Sequence, residues 1–374
     1  MALPLAALLL AACESDDTDF SAYINGSGGS SGSGTSSASV IYIAYSGTSV
    51  TVTGDDNGYV TADGADVTVN TGTDTDSLLL VLSGSTSDGS LLVYRQKKYG
   101  LRLNGVSIAN SDGPAINNQC SKSLFLEVAD GTVNTLCDGT SYAEQSYDQK
   151  GALFSEGQIY FRGTGSLSVT GNCKHAIACD DYIVLDEASI TAASSTGSGI
   201  KVNDGLRING GTLDISVTGD GGRGIRCDSV VVITGGTTTI STSGDCKIEK
   251  TSDGVADTTS AACIKCDRAF TMTGGTLTMT STGDGGKGVR CDEDITVSGG
   301  TFTARTTGSN DDAKPKAVKS DTGIIVSGGS FTATVKKSWA CDNGTDSETP
   351  ADHLTVQGTP ASSSITKKSV IITY

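Results

Sequence analysis

Five basic residues recur at one position of a repeated phrase in the second half of the chain. They are the strongest candidates for binding chemistry. Four aspartates follow, each two residues further on. Residues i and i+2 of a β-strand share a face, so on stacked strands a basic row and an acidic row would run side by side. The basic row comprises Lys201, Arg226, Lys265, Arg290 and Lys319, and the acidic row comprises Asp228, Asp267, Asp292 and Asp321.

The basic row supports two interpretations. Like charges stacked about 5 Å apart repel by roughly 1 kcal/mol even in water, so something must offset that repulsion. In the first interpretation, the acidic row neutralises the basic row and forms a solvated ladder of weak pairs. In the second, the basic row binds an anionic polymer such as a polyuronate. The sequence alone leaves both interpretations open.

A second recurring group, of acidic residues, predicts calcium binding. The phrase T-G-D-G-G-[RK]-G places Asp220 and Asp284 at a glycine-rich corner, and Asp245 occupies that corner in the intervening copy. Asp311 and Asp312 fall near the same corner in the next copy. Carboxylates and free backbone carbonyls are the hard oxygen ligands that Ca²⁺ prefers. We predict Ca²⁺ at these stacked corners, while a plain Asp-Gly turn explains any one of them equally well.

Signals for catalysis are weak. The two histidines, His175 and His353, have no nucleophile at an evident partner position. Carboxylates are too numerous for the pattern to single out a pair for glycoside hydrolysis. Trp339 aligns with inward-facing positions of earlier copies, so we expect it to pack in the core or the end cap. The recurring charges therefore indicate binding more strongly than any catalytic group indicates an enzyme.

The repeat that positions these residues fixes the fold class. Within each copy apolar and polar residues alternate, which predicts short β-strands with one buried face. Each copy also contains a Gly-Gly pair, and successive pairs are separated by 25, 39, 25 and 29 residues. Periods of this size are typical of repeat architectures. The pairs begin at Gly210, Gly235, Gly274, Gly299 and Gly328.

A copy of this length cannot bury its own apolar face, but stacked copies can. We predict an all-β fold, a single-stranded right-handed parallel β-helix (a solenoid), over residues 40–374 with a C-terminal cap. The handedness follows from the preference of parallel crossovers. β-Propeller blades, the competing repeat, usually run about 40–45 residues. The aligned copies predict two inward columns, one of Leu213, Thr238, Leu277, Phe302 and Phe331, the other of Ile208, Ile233, Met272, Val297 and Val326.

The sequence has 11 cysteines, and five of them fall at one inward repeat position. In-register neighbours would keep their Cβ atoms near 4.8 Å, beyond the usual ~3.8 Å of a disulfide, so we expect Cys227, Cys266 and Cys291 to stay reduced. Cys246 and Cys263 instead bracket the insertion that lengthens one step to 39 residues. We predict a disulfide between them, since an exported protein can oxidise. The column comprises Cys179, Cys227, Cys266, Cys291 and Cys341.

Residues 1–13 predict a lipoprotein signal. An apolar run ends in Leu10, Ala11, Ala12 and Cys13, which resembles a lipobox whose cysteine is lipidated, and the run is too short to span a bilayer. Residues 14–39 are rich in Gly and Ser and predict a flexible tether. The acidic residues after Cys13 resemble the surface-export signal of some lipoproteins. We expect an exported outer-membrane or cell-surface protein that contacts the membrane only through its lipid.

Overall charge limits the possible partners. The formal net charge is −16, from 42 acidic and 26 basic residues. Such a balance argues against a nucleic-acid partner, because nucleic-acid binding relies on neutralising phosphates with Lys and Arg. It is compatible with divalent cations, which clustered carboxylates bind. We also expect a monomer.

Three segments together resemble the bacterial carbohydrate-binding β-helix family first noted in cellulolytic bacteria. They are SLFLEVADGTVNTLCDGT, HAIACDDYIVLDEASITA and the tandem GI[KR]xxD…I[TN]GGT…STGDG coils, within residues 40–335. The resemblance implies a right-handed parallel β-helix akin to pectate-lyase-type polysaccharide lyases. It also implies bound calcium and affinity for cellulose or acidic sugars.

Three functions remain open. The first is a surface lipoprotein that binds acidic, polyuronate-like or cellulosic polysaccharide, with Ca²⁺ at its corners. The second is a calcium-dependent polysaccharide lyase with Arg226 or Arg290 as the proton acceptor. The third is a structural or adhesive stalk with no ligand. A lyase would release unsaturated sugars, a binder would retain polysaccharide without cleaving it, and a stalk would do neither.

Overall fold

The structure is a computed structural model that describes residues 38–74, 76–250, 256–310 and 313–374. The predicted signal, the lipidation site Cys13 and nearly all of the tether lie outside the described residues. Within those residues, no helix is long and apolar enough to cross a membrane. The one helical element described is a short 3-10 helix, Pro350–His353.

The regular structure is otherwise built of β-strands. Strands β1 to β13 are Ser39–Ser46, Ser49–Thr53, Val60–Asp63, Asp66–Asn70, Leu78–Thr86, Ser90–Tyr94, Tyr99–Ala109, Ile116–Asn118, Leu124–Val128, Val133–Cys137, Gly151–Ser155, Ile159–Arg162 and Ser166–Gly171. Strands β14 to β26 are His175–Cys179, Tyr182–Leu185, Ser189–Ser194, Ser198–Val202, Gly205–Ile208, Thr212–Val217, Arg223–Cys227, Val230–Ile233, Thr237–Thr242, Lys247–Lys250, Ala256–Thr259, Ala262–Cys266 and Phe270–Met272. Strands β27 to β37 are Thr276–Ser281, Lys287–Cys291, Ile295–Val297, Thr301–Thr306, Lys316–Ser320, Ile324–Val326, Ser330–Val335, Cys341–Asp342, Thr355–Val356, Ser362–Ile365 and Ser369–Thr373.

Each repeat forms one coil of a solenoid. A typical coil contributes one strand to a 12-stranded sheet and two strands to a 23-stranded sheet. The 12-stranded sheet has the order β3-β4-β6-β8-β11-β14-β17-β20-β25-β28-β31-β34. Strands of successive coils pair in parallel, as β17 does with β20 and β20 with β25. The parallel β-helix predicted from the repeats is confirmed.

Both predicted inward columns are confirmed. Leu213 pairs in register with Thr238, and the series continues coil by coil to Phe331. The rings of Phe302 and Phe331 stack with centroids 4.7 Å apart. The second column runs in register from Ile208 to Val326. Because like residues stack on like, the core continues through the repeat region.

The Gly-Gly corners require glycine at both positions, for different reasons. At the first position the backbone of the previous coil is too close: a Cβ on Gly235 would lie 2.2 Å from the carbonyl oxygen of Asn209. The second glycine adopts a left-handed conformation, with φ between 71° and 77° in the five pairs, which disfavours residues with a Cβ. The second glycines are Gly211, Gly236, Gly275, Gly300 and Gly329.

Antiparallel strands flank the parallel stack near both ends. Near the N-terminal end β1 pairs with β2 and β3 pairs with β4. At the C-terminal end β37 pairs antiparallel with β33 and with β36. These pairings satisfy backbone groups that an open parallel edge would offer to another chain.

The 39-residue step holds an inserted antiparallel hairpin, β23 with β24. The coils on either side of it remain in register. Cys227 pairs with Cys266 on the 12-stranded sheet, and Thr242 pairs with Ser281 on the larger sheet. The hairpin therefore projects from a corner without disturbing the core.

Cys227 is a free thiol, as predicted, but the other cysteine predictions are wrong. Cys266 and Cys291 form a disulfide, with Cα atoms 4.8 Å apart, whereas Cys246 and Cys263 are free thiols. In-register neighbours lie within the Cα separation of about 4.4–6.8 Å that disulfides accept, so a fixed Cβ spacing was the wrong criterion. Cys263 is fully buried in the core, while Cys246 lies at a corner and contacts Asn310.

The last coil also departs from the predicted alignment. Cys341 pairs with Val318 and so belongs to the neighbouring aliphatic column rather than the cysteine column. In the turn before β34, Ser338 has φ 78°. After this turn, β34 pairs with β31 in a register shifted by two residues from the one that the repeat implies. Trp339 is consequently shifted out of the core position expected for it and is half-buried.

Candidate functional site

The basic row forms a continuous ladder on the 12-stranded sheet. Each member pairs in register with the next, from Lys201 through to Lys319. The side chains lie on the outward face beside the acidic row and are half-buried. The structure therefore brings together the charges that the sequence pattern grouped.

Most of the basic row is neutralised by the acidic row. Four of its members form ion pairs with aspartates of their own coil or of the next one. These pairs are Lys201–Asp228 at 2.6 Å, Arg226–Asp228 at 3.2 Å, Lys265–Asp267 at 2.6 Å, Lys265–Asp292 at 3.0 Å and Lys319–Asp321 at 2.5 Å. For these four residues the ladder interpretation describes the contacts well.

The two rows do not balance. Asn203 stands two residues after Lys201, where later copies have an aspartate. The amino group of Lys201 contacts the Asn203 amide oxygen at 2.6 Å and reaches Asp228 of the next coil. Lys201 thus shares Asp228 with Arg226. Five cations therefore face four carboxylates.

Arg290 is the cation left over. The carboxylate of Asp292 in its own coil accepts bonds of 3.0 and 3.1 Å from Lys265, and Asp321 of the next coil pairs with Lys319. The Arg290 Nε is buried and has no hydrogen-bond partner. Among the described residues, no carboxylate forms an ion pair with this guanidinium.

Arg223 is a second arginine with no ion pair to any described residue. It begins β20, and its in-register neighbours in the next two coils are Ala262 and Lys287. Burial and the nearby charges of Arg226 and Arg290 lower the pKa of Arg223. Ala262 belongs to the coil between Arg223 and Arg290, and its side chain is small. The charges of these two unpaired arginines therefore interact across that coil. An anion placed there would relieve their repulsion.

A cavity of about 350 Å³ opens beside Arg223 and Arg226, and we call it the cationic pocket. The coils supply one part of its lining, and the inserted hairpin supplies another through Lys247 and Thr259. Its charged lining residues are four cations and a single carboxylate, with one histidine in addition. They are Lys201, Arg223, Arg226, Lys247, Asp220 and His175.

The pKa of His175 reflects the positive charge around the cationic pocket. Burial lowers the pKa of His175 to about 4, and the neighbouring charges of Lys201 and Arg226 contribute. The Nδ1 atom accepts a hydrogen bond of 2.9 Å from the backbone N–H of Ser198. Protonating Nδ1 would break that bond and add a further cation, so the ring holds an uncharged form at neutral pH.

The corner aspartates Asp220, Asp245 and Asp284 do stack, but in single file. The backbone N–H of Asp245 donates to Asp220 Oδ1 at 2.9 Å, and that of Asp284 donates to Asp245 Oδ1 at 2.7 Å. Ser309 continues the series onto Asp284 Oδ1 at 2.6 Å. Each carboxylate thus links its coil to the next one. Asp311, like Asp312, lies outside the described residues.

The described corner carboxylates do not converge on one point, as ligands of a single calcium ion would have to. Three acidic groups do approach within 4.8 Å of one another at Asp148, Glu156 and Asp180, beside β11 and β14. There the amino group of Lys150 bridges Asp148 and Asp180. Burial and the nearby Asp180 raise the pKa of Glu156. A lysine therefore already supplies positive charge to this cluster.

A third feature of the same sheet is a cavity of about 220 Å³ near its N-terminal end. Side-chain amides and hydroxyls, two aspartates and the ring of Tyr147 line it, with no lysine or arginine. Tyr94 packs against Tyr147 edge-on, with centroids 6.2 Å apart. Neutral hydroxyl groups suit this lining better than carboxylates do.

Sequence reasoning grouped the right columns but missed which members are uncompensated. The substitution of Asn203 for an aspartate was visible, and it signalled the excess charge. The role of the inserted hairpin as a pocket wall was not visible, because nothing in its sequence fixes the direction in which it folds. The acidic cluster around Lys150 comes from the less regular coils of the first half, where no period marks it.

Comparison with known proteins gives a consistent result. A family model described as carbohydrate-binding domain-containing protein matches residues 63–224 and 216–313. A curated protein of the same description from Acetivibrio thermocellus is 30% identical over 118 residues, which are 30% of this chain and 41% of that protein. The matching region thus spans less than half the length of that relative.

A solved structure shares the fold. The polysaccharide lyase-like protein from C. thermocellum, in a gadolinium derivative, superposes with a TM-score of 0.57 at 22% sequence identity. The match covers 69% of this chain and 96% of that chain. At this level of identity the likeness establishes the common β-solenoid fold.

Proposed function

Because this chain belongs to the carbohydrate-binding domain-containing family, we propose that it binds an acidic polysaccharide of the polyuronate type. The 12-stranded sheet carries the binding surface. The basic row and the cationic pocket form its central part, and the polymer lies across successive coils. Polysaccharide binding in general rests on the family, and the acidic character rests on the site.

One observation carries the acidic specificity. Arg223 and Arg290 lie on the same sheet, two coils apart, and neither pairs with a carboxylate of a described residue. The overall charge of the protein is −16, so leaving two arginines uncompensated here is a specific local arrangement. Carboxylates of a polyuronate would supply charge-assisted hydrogen bonds, which are about twice as strong as neutral ones.

A neutral, cellulosic glycan is the second candidate ligand. The cavity beside Tyr147 favours it, because amide and hydroxyl groups match sugar hydroxyls and no cation lines the cavity. The two candidates use different stretches of one sheet. Substitutions in each stretch therefore distinguish them.

Calcium and surface anchoring are separate proposals. The calcium proposal is supported by the recurrence of the corner aspartates, each of which uses one carboxylate oxygen for the next coil and keeps the other. The anchoring proposal is supported by the lipobox-like run ending at Cys13. We also propose that the protein acts as a monomer, in keeping with the antiparallel strands at both ends of the solenoid.

The test is a binding panel with polygalacturonate and cellulose, using the parent and an Arg223→Gln/Arg290→Gln double variant. Polygalacturonate binding should weaken roughly tenfold, since about 1.4 kcal/mol of charge contacts would be lost. Its dependence on salt should flatten, because fewer ion contacts remain to be screened. The matched control is Arg305→Gln, which changes an exposed arginine on the 23-stranded sheet and should leave binding unchanged.

Three results would decide against the proposal. If the double variant binds polygalacturonate as tightly as the parent, the basic row is only a neutralised ladder. If unsaturated products absorbing in the near ultraviolet accumulate, the protein is a lyase. If the parent retains neither polymer, the stalk interpretation stands.

A further inference from the structure

The cationic pocket lies at a corner of the solenoid, in the interval between two long segments. At this corner each coil passes from the 23-stranded sheet to the 12-stranded sheet. The long segments are residues 138–150, before β11, and residues 243–261, which include the inserted hairpin before β25. The corners between them are short turns, residues 172–174, 195–197 and 218–222. Residues of the last two turns line the pocket, so its floor is open where the flanking corners are built up.

Three strands of the 12-stranded sheet begin at this floor with residues that are in register. Ser198 of β17 pairs with Arg223 of β20, and the constant offset between β14 and β17 places His175 beside Ser198. All three residues line the cationic pocket. Neighbouring coils are about 4.8 Å apart, so His175 and Arg223 lie about 10 Å apart along the solenoid. The residue between them is a small serine, so a ligand over it can contact both.

His175 offers a hydrogen-bond donor whose identity the backbone fixes. Its Nδ1 accepts from the backbone N–H of Ser198 at 2.9 Å. A backbone N–H can only donate, so the neutral ring carries its proton on Nε2. Nε2 has no partner among the described residues, yet it is not one of their fully buried unpartnered atoms. The half-buried ring therefore presents an uncharged N–H donor to the pocket that it lines.

Arg223 is the unpaired cation of the floor. The amino group of Lys174 donates to a backbone carbonyl of the long segment before β11, at 2.6 Å. Lys201 and Arg226 both bond to Asp228. Arg223 forms no ion pair with a described residue, and the neighbouring positive charges lower its pKa together with burial. The remaining charged residues of the lining are Lys247, on the hairpin side, and Asp220.

We infer that the cationic pocket holds one uronate residue in a fixed orientation, with its carboxylate on Arg223 and a neighbouring sugar oxygen accepting from Nε2 of His175. A guanidinium matches a carboxylate with paired N–H donors, and a neutral N–H matches a hydroxyl or ring oxygen. A simple anion or a neutral sugar satisfies only one of the two contacts. The volume of about 350 Å³ is in the range of sites for small ligands. The inference rests on the proposed function and makes His175 a residue that determines its specificity.

The two histidines of the chain allow a direct test by NMR of the ring nitrogens. Titrating the full chain with digalacturonate should shift the Nε2 signal of His175 in a saturable way. His353, which is 2% exposed in the C-terminal cap, should not respond and serves as the internal reference. The bound carboxylate should also raise the pKa of His175 from about 4, because a nearby anion favours the imidazolium. Galactobiose, which lacks the carboxylates, and acetate, which lacks the sugar, should leave the signal unchanged.

Two substitutions separate the donor of His175 from its bond to the backbone. His175→Asn keeps an oxygen near the place of Nδ1, which can accept from Ser198, but it places no donor where Nε2 stood. His175→Gln keeps a donor near the place of Nε2. Digalacturonate binding should weaken about fivefold in His175→Asn, as expected for the loss of one hydrogen bond between neutral groups. His175→Gln should recover most of that loss.

The outcomes separate this inference from the proposed function. If polygalacturonate is retained but digalacturonate leaves the His175 signal unchanged, the inference is overturned and the proposed function stands. If acetate or galactobiose shifts the signal as strongly as digalacturonate, the pocket does not read both groups and the inference fails. Equal affinity of His175→Asn and the parent also overturns it, because Nε2 would then make no contact. If digalacturonate shifts the signal while polygalacturonate is not retained, the pocket site stands and the proposed function fails.

Discussion

Arg290 and Lys265 occupy neighbouring positions of the basic row, and we predict opposite effects on stability when each is replaced by glutamine. Lys265 bonds to Asp267 at 2.6 Å and to Asp292 at 3.0 Å, and its side chain is 13% exposed. Arg290 has no such partner, and its Nε is buried. Lys265→Gln removes two ion pairs and leaves two carboxylates facing each other. Arg290→Gln removes only an uncompensated charge.

The expected sizes follow from the spacing of the coils. Neighbouring Cα atoms in register lie 4.8 Å apart at the Cys266–Cys291 pair. Two unit charges at that distance repel by about 0.9 kcal/mol in bulk water and about 3.5 kcal/mol at an effective dielectric constant of 20. Arg290→Gln should therefore leave the free energy of unfolding unchanged or raise it by up to about 1 kcal/mol. Lys265→Gln should lower it by about 1–2 kcal/mol, since two partly buried pairs are lost.

The assay is urea unfolding followed by circular dichroism, at low and at high salt. Raising the salt concentration should shrink the difference between the two variants, because charges near the surface are screened. The reasoning is refuted if Arg290→Gln destabilises the protein by more than 2 kcal/mol, because the arginine would then have a stabilising partner. It is equally refuted if Lys265→Gln costs nothing.

Three further predictions concern the corners, the cysteines and the histidine. Asp245→Asn keeps the Oδ1 acceptor but loses the charge, so in the presence of chelator it should leave stability unchanged. Calcium should raise the melting temperature of the parent, and it should raise that of the variant by less. No rise in the parent rules out the calcium proposal. Mass spectrometry of the unreduced protein should find Cys266 joined to Cys291, and Cys291→Ser should cost about 3.5 kcal/mol for a loop of 25 residues; a Cys291 thiol found free would contradict this. His175 should titrate by NMR with a pKa near 4 rather than near 6.5. The free energy of unfolding should fall as the pH is lowered from 6.5 to 4, because over this range the unfolded chain binds a proton that the folded chain does not. His175→Gln should remove this pH dependence.

Much of the fold was predictable because the repeats impose it. Columns such as Ile208 to Val326 follow from alternation and from the fixed step, and parallel pairing requires like to stack on like. The last coil was not predictable, because β34 meets a cap rather than another repeat. There the turn at Ser338 shifts the register by two residues and removes Cys341 and Trp339 from their expected columns.

The candidate site was predictable as a location but not as an arrangement of charges. The spacing placed the basic row and the acidic row on one face, but no conclusion was drawn from Asn203, which stands where later copies have an aspartate. Which cation would go without depends on side-chain reach. Lys265 bonds to aspartates of two coils and so deprives Arg290 of a partner. Choices of that kind depend on side-chain geometry and leave no trace in the sequence.

The inserted hairpin, β23 with β24, separates the loop that can contact a ligand from the core that holds the fold together. In most enzymes and binding proteins these two must change together. Its corner adds residues to one coil while the coils above and below remain hydrogen-bonded in unchanged register. Loop length and loop sequence at this corner are therefore free to vary without a cost to the core. Descendants of such a chain can diversify what they recognise through one exchangeable loop. The same corner offers engineers a place to graft foreign loops between Lys247 and Thr259 on an inherited scaffold.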